Sequence, residues 1–116
     1  MTIKIEELEA KVRTLVNDTE SDAYRFSQEV VFDCIRSAVG HLRTIQPSEK
    51  YGENMLLDAT AFVVAPGVDI RINEARYVDA VVKYAASLVY ELDITDTVNM
   101  QVSETLKNRA ETLMQL

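Results

Sequence analysis

The stretch EARYVDAVVKYAASLVYEL, Glu74 to Leu92, decides how the rest of the chain is arranged. Val78, Val82, Ala85, Val89 and Leu92 recur at spacings of four and three, which places them on one helix face. A second row, Tyr77, Val81, Tyr84 and Leu88, lies beside the first and widens the apolar stripe. Asp79, Lys83, Ser87 and Glu91 form the polar line, and Asp79 to Lys83 is a favourable i,i+4 pair. A helix with so little polar surface needs cover on more than one side. In a chain of 116 residues, another copy of the protein is one candidate for that cover. Asn73 is the expected N-cap, and Glu74 puts negative charge where the helix dipole favours it.

The other helices read outward from this one. Ile5, Leu8, Val12 and Leu15 mark a first helix over about 3–16, with Glu6, Glu7, Glu9, Lys11 and Arg13 on its far side and Thr2 as cap. A polar joint follows, and a second helix spans about 27–46. Val31, Ile35, Ala38, Leu42 and Ile45 form its face, with Asp33, Arg36, Ser37, Gly40 and Arg43 opposite. Ser27 is its expected cap, and Pro47 ends it by disfavouring the α conformation at Gln46. Gly40 costs about 1 kcal/mol against Ala in mid-helix, which hints at a close approach there. A last helix over 97–114 carries a narrow stripe of Val98, Val102, Leu106, Ala110 and Leu113, with Met114 at its edge.

Between the second and third helices the period changes. TAFVVA (Thr60 to Ala65) is rich in β-formers, and Pro66-Gly67 is a type II turn pair. Val68, Ile70 and Ile72 then alternate with Asp69 and Arg71. This predicts a short β-hairpin, or an extended loop with one strand, within about 57–72. The fold class is therefore mainly α: a four-helix bundle with a short hairpin or extended loop inserted, in one domain over 1–116.

A content of 47% hydrophobic and 27% charged residues is that of an ordinary globular domain. The N-terminal residues alternate apolar with Lys and Glu and do not read as a signal peptide. No apolar run approaches the roughly 20 residues of a membrane span. The single Cys34 leaves no intramolecular disulfide to form and suits a reducing compartment. A net charge of −7 argues against a general nucleic-acid-binding surface but suits a protein that DNA passes without adhering.

No residue set points to catalysis, and no cofactor motif is present. Cys34 and His41 lie seven residues apart on one helix edge, roughly 10 Å, beyond the reach of a nucleophile–base pair. The sharper candidate is DTESDAYRFSQE, where Asp18, Glu20, Asp22 and Glu29 occupy positions 1, 3, 5 and 12 of a calcium-binding loop. Ala23 stands where that loop needs Gly, and a helix capped by Ser27 would begin before the loop ends. Tyr77 and Tyr84 read as core or interface residues with a polar tip rather than as a stacking platform for bases.

The run VRTLVNDTESDAYRFSQEVVFDCIRSAVGHLRTIQP (Val12 to Pro47), followed by RYVDAVVKYAASLVYELD (Arg76 to Asp93), resembles the head–tail connector (adaptor) proteins of tailed bacteriophages. The resemblance lies in a polar joint after the first helix (Leu15, Asn17, Asp18), a break at Ile45-Gln46-Pro47, and a tyrosine-bearing helix closing in an acidic turn (Tyr84, Tyr90, Asp93). Gln46 departs from the family, where Arg is commoner. The resemblance implies a structural, non-enzymatic virion protein at the neck. It would form a ring, most often of twelve copies, between the portal protein and the tail or nozzle proteins, and line the channel through which DNA leaves. It makes the last helix the portal-facing element, with Leu106, Leu113 and Met114 as apolar anchors and Lys107 and Arg109 as rim charges. Phe62, Val64, Val68, Ile70, Tyr77 and Tyr84 become candidates for the contact with a neighbouring subunit or the tail. Two other readings stay open: a small helical interaction or regulatory module, and a weak calcium-binding helix-loop-helix protein.

Overall fold

The structure, a computed structural model, describes residues 2–19, 24–51, 65–92 and 97–116. It is mainly helical. In chain order the described elements are β1 (Thr2–Lys4), α1 (Ile5–Leu15), α2 (Gln28–Ile45), a 3-10 turn (Pro47–Lys50), β2 (Asp69–Arg71), α3 (Ala75–Leu92) and α4 (Thr97–Met114). α3 packs against each of the other three helices, most extensively along α4.

The core forms where the apolar stripes meet. Ile5, Leu8 and Val12 of α1, Val31, Ile35, Ala38 and Leu42 of α2, and Val81, Ala85 and Val89 of α3 are all buried. Burying a side chain of this kind contributes about 1.5–3 kcal/mol. Among its described side chains, α4 adds Ser103, Ala110 and Met114 as fully buried residues, in line with its narrow stripe. The cover that the wide stripe of α3 requires is found mostly inside one chain: Tyr77, Val78, Ala80, Val82 and Ala86 are buried as well.

The small sheet differs in its partner from the expected hairpin. β2 lies between α2 and α3, but it pairs antiparallel with β1, in the register Thr2 to Arg71, Ile3 to Ile70 and Lys4 to Asp69. The expected first hairpin strand lies, but for Ala65, outside the described residues. Ile3 and Lys4, assigned above to the start of α1, are therefore strand, and Thr2 is strand rather than the helix cap. Lys4 holds the N-cap position with extended backbone and no side-chain cap bond. The turn itself forms as expected: Gly67 sits at φ +83°, and the Val68 N–H donates to the Ala65 carbonyl. Its Gly67 N–H donates to the Glu6 carboxylate at 2.6 Å, and the Ile5 N–H donates to the Val68 carbonyl at 3.0 Å. The turn, the sheet and the first turn of α1 thus hold one another.

The helix ends follow their local chemistry. α1 stops in a Schellman arrangement, with Asn17 at φ 56°, the Asn17 N–H on the Thr14 carbonyl and the Asp18 N–H on that of Arg13. Ser27 caps α2 as its type suggests, its hydroxyl accepting from the Val30 N–H. Pro47 closes α2 and opens a 3-10 turn where a plain loop was expected, and Gln46 Nε2 donates to the Met114 carbonyl at 2.7 Å. Asn73 does not cap α3, because its amide oxygen accepts from Arg71. Gly40 marks no close approach: a Cβ there would meet nothing within 4 Å.

Candidate docking surface

Polar residues inside the chain are engaged before any surface site is built. Arg13, nearly fully buried, donates to Glu9 at 3.0 Å and to Asp18 at 2.8 Å, and its guanidinium lies 3.7 Å from the centre of the Tyr24 ring. The Asp18 carboxylate also accepts from the Arg25 and Phe26 N–H groups, and Gln28 donates to Glu9. The periodicity had placed Glu9 and Arg13 on the solvent side of α1. They are instead inward because the charged node fastens the α1–α2 joint. A second clasp joins the 3-10 turn to the start of α3. Buried Glu49 accepts from the Asn73 N–H at 3.0 Å, and Arg71 donates to the Glu49 carbonyl. Arg43, expected on the polar face of α2, is buried too.

The node bears directly on calcium. Asp18 would be the first ligand of the loop, yet both its oxygens already accept hydrogen bonds and one of them faces a guanidinium. A dication there would have to displace Arg13 from a buried pair, at a cost of about 3–5 kcal/mol. Glu29 lies in the first turn of α2, and Glu20 and Asp22 fall outside the described residues. Among the described residues no group of three or more His, Cys, Asp and Glu side chains could hold a metal ion.

What remains outside is a pair of troughs along one side of α3. The larger, about 640 Å³, runs between α1 and α3 over Ile3, Leu15, Val78 and Val82. Glu7 and Lys11 of α1 and Asp79 and Lys83 of α3 form its rim. The smaller, about 370 Å³, lies between α3 and α4, lined by Lys83, Asn108, Arg109, Thr112 and Leu113. Lys83 lines both and pairs with Asp79 at 2.8 Å, as the i,i+4 spacing predicts. Across α3, a third concavity of about 280 Å³ lies among Val30, Asp33, Cys34, Ser37, Leu88 and Leu92.

The α2–α3–α4 seam carries a polar cluster. His41 stacks on Tyr84 with ring centres 4.5 Å apart, and its Nε2 lies 3.4 Å from a Glu111 oxygen. Lys107 pairs with Glu91, and that hydrogen bond holds the ammonium pKa above its ordinary value. Ser103 donates to the Ser87 carbonyl at 2.9 Å and so ties α4 to α3.

The residues singled out in the sequence therefore divide. Arg109 and Leu113 come together beside Lys83. Leu106 is half-buried against the core, and Lys107 is occupied by Glu91 over the Tyr84 ring. Met114 is a correction: it is wholly buried and belongs to the core, not to an exposed anchor. Ile70 and Tyr77 are likewise buried within the chain, Val68 and Tyr84 are half-buried, and Phe62 and Val64 lie outside the described residues. Among the described residues, no helix is long and apolar enough to cross a membrane. Compared with protein-family models, curated proteins and solved structures, the chain matches none.

Proposed function

We propose that the chain is a structural protein of the phage neck: an adaptor that forms a ring beneath the portal, offers the tail a new docking surface, and surrounds the passage through which DNA leaves. The observation that supports this reading best is the α3–α4 trough. It brings Lys83 of α3 beside Arg109 and Leu113 of α4, the helix that the resemblance assigns to the portal. The exposed Arg109, beside a half-buried Leu113 and the Asp79-paired Lys83, makes a surface that a partner can recognise by both shape and charge. The formal charge of −7 per chain, repeated around a ring, repels DNA phosphates within a screening length of about 8 Å. That favours passage without adhesion. The wide stripe of α3 calls for no neighbouring subunit, since the chain covers most of it alone.

That same enclosure favours a second reading, a small helical module that binds a partner as a free monomer. The two separate when portal rings are mixed with the purified chain and imaged by electron microscopy. The adaptor reading expects added density beneath the portal, weakened when Arg109→Glu and Leu113→Asp are combined. Bare portal rings at a large excess of folded chain would overturn it.

A further inference from the structure

Of the three concavities along α3, the α3–α4 trough is the one whose lining holds cations and no carboxylate. Lys83 and Arg109 stand in it, whereas the α1–α3 trough carries Glu7 and Asp79 and the α2–α3 concavity carries Asp33. The contrast counts in a chain with 19 acidic residues against 12 basic ones. Arg109 is exposed, and no side chain among the described residues pairs with it. Its own helix supplies no acid within reach: Thr105, Leu106, Thr112 and Leu113 hold the positions three and four residues away. Lys83 differs, because its ammonium pairs with Asp79, which lines the neighbouring trough. Solvent-exposed i,i+4 pairs of this kind are weak, so an incoming carboxylate can share the ammonium. Leu113 follows Arg109 by one turn on the same face, at about 5–6 Å between Cβ atoms, and is half-buried.

We propose that the α3–α4 trough takes an acidic segment of a protein partner, with one carboxylate seated between Lys83 and Arg109 and an apolar side chain, about one helical turn away, against Leu113. The arginine fork suits a carboxylate, which accepts two parallel N–H donors from it. The trough holds about 370 Å³, at the low end of the roughly 300–1,000 Å³ of a ligand pocket. It therefore takes a few side chains from a partner's surface and not a whole helix, whose diameter is about 10–12 Å. A nucleic-acid phosphate would meet the two cations but leave Leu113 uncovered, and the net charge of −7 repels a duplex. The inference rests on the adaptor reading for the identity of the partner, and it adds the chemistry of the partner's contact.

Two end-blocked, alanine-based helical peptides serve as probes for the isotope-labelled full chain in an NMR titration. One presents Glu and Leu one turn apart, the other Lys and Leu at the same positions. Amide shifts at Asn108, Arg109, Thr112 and Leu113 are expected with the acidic peptide and not with the lysine peptide. Arg109→Gln should weaken the acidic peptide by about tenfold, the effect of one charge-assisted hydrogen bond. Arg109→Glu should reverse the preference between the two peptides, which loss of fold would not do, and circular dichroism checks the fold. Asp79→Asn, which releases Lys83, should tighten the acidic peptide. Raising salt from about 0.1 M to about 1 M, which shortens screening from about 10 Å to about 3 Å, should weaken it. Equal shifts with both peptides, no shift with either at millimolar peptide, or a stronger response to duplex DNA or inorganic phosphate would overturn the proposal. Portal rings separate this contact from the adaptor reading. Equal binding of portal by the native chain and by Arg109→Glu contradicts the acidic contact and leaves the adaptor standing. Uptake of the acidic peptide by a chain that ignores portal keeps the contact and removes the adaptor.

Discussion

Arg13 and Asp18 show what single residues contribute beyond the apolar pattern. Their pair sits at the α1–α2 joint with each side chain 3% exposed, and Asp18 also holds two backbone N–H groups of the following segment. Asp18→Ala leaves a buried guanidinium with half its partners and three donors unsatisfied. The expected loss is about 3–5 kcal/mol in urea unfolding. A loss within 0.5 kcal/mol would mean that the pair is solvated in solution. Cys34 gives a second test. Burial, helped by Asp33 and Glu91, pushes its thiol from 9.0 up to about 11. At pH 8 the folded thiolate fraction is then about a hundredfold below that of the unfolded chain, and alkylation should slow by a similar factor. Below pH 9.0 both states keep the proton. Between 9.0 and about 11 the unfolded chain loses its proton first, so stability falls as pH rises through that window. A native alkylation rate equal to that in urea would contradict the placement of Cys34.

Elements differ in how much of their form the sequence carries. The four helices were legible because their stripes hold the 3.6 period over three turns or more, and Ser27 and Pro47 bound α2 as their chemistry requires. The partner of β2 was not legible. The three residues of β1 are too short to show a period, and their pairing with β2 is fixed by contacts more than sixty residues apart in sequence, Ile5 on Val68 and Glu6 on Gly67. The inward turn of Glu9 and Arg13 was partly legible, since the i,i+4 spacing of opposite charges was present, but nothing local said that Asp18 would draw them inside. The α3–α4 trough was legible only at Arg109 and Leu113; Lys83 joins them through packing. The two glycines in the described residues make a paired prediction. Gly40→Ala should stabilise by about 0.5–1 kcal/mol, since the new methyl meets no neighbour and helix propensity improves. Gly67→Ala should destabilise by about 1–2 kcal/mol, because φ +83° strains any L side chain. Thermal melts of the two variants should move in opposite directions, and a common direction would contradict either the helix or the turn.

At the scale of the whole molecule, α3 is the shared wall of the bundle, with α1, α2 and α4 packed around it. α4 is part of the core whatever it docks against: Ala110 and Met114 are buried, and Ser103 and Gln46 tie it to α3 and to the end of α2. Deleting 97–116 should uncover α3 and give a chain that fails to melt cooperatively. A folded truncation would show that α4 is dispensable to the core. Surface substitutions such as Arg109→Glu therefore probe docking more cleanly than truncation does. The Arg109–Leu113 trough lies on the outside of that core, where the proposed adaptor would meet its partner. Native mass spectrometry of portal rings saturated with this chain tests that assembly most directly. The account predicts a complex carrying a full circle of chains, about twelve on a twelvefold portal by cyclic symmetry; a spectrum of unloaded portal beside free monomer would contradict it.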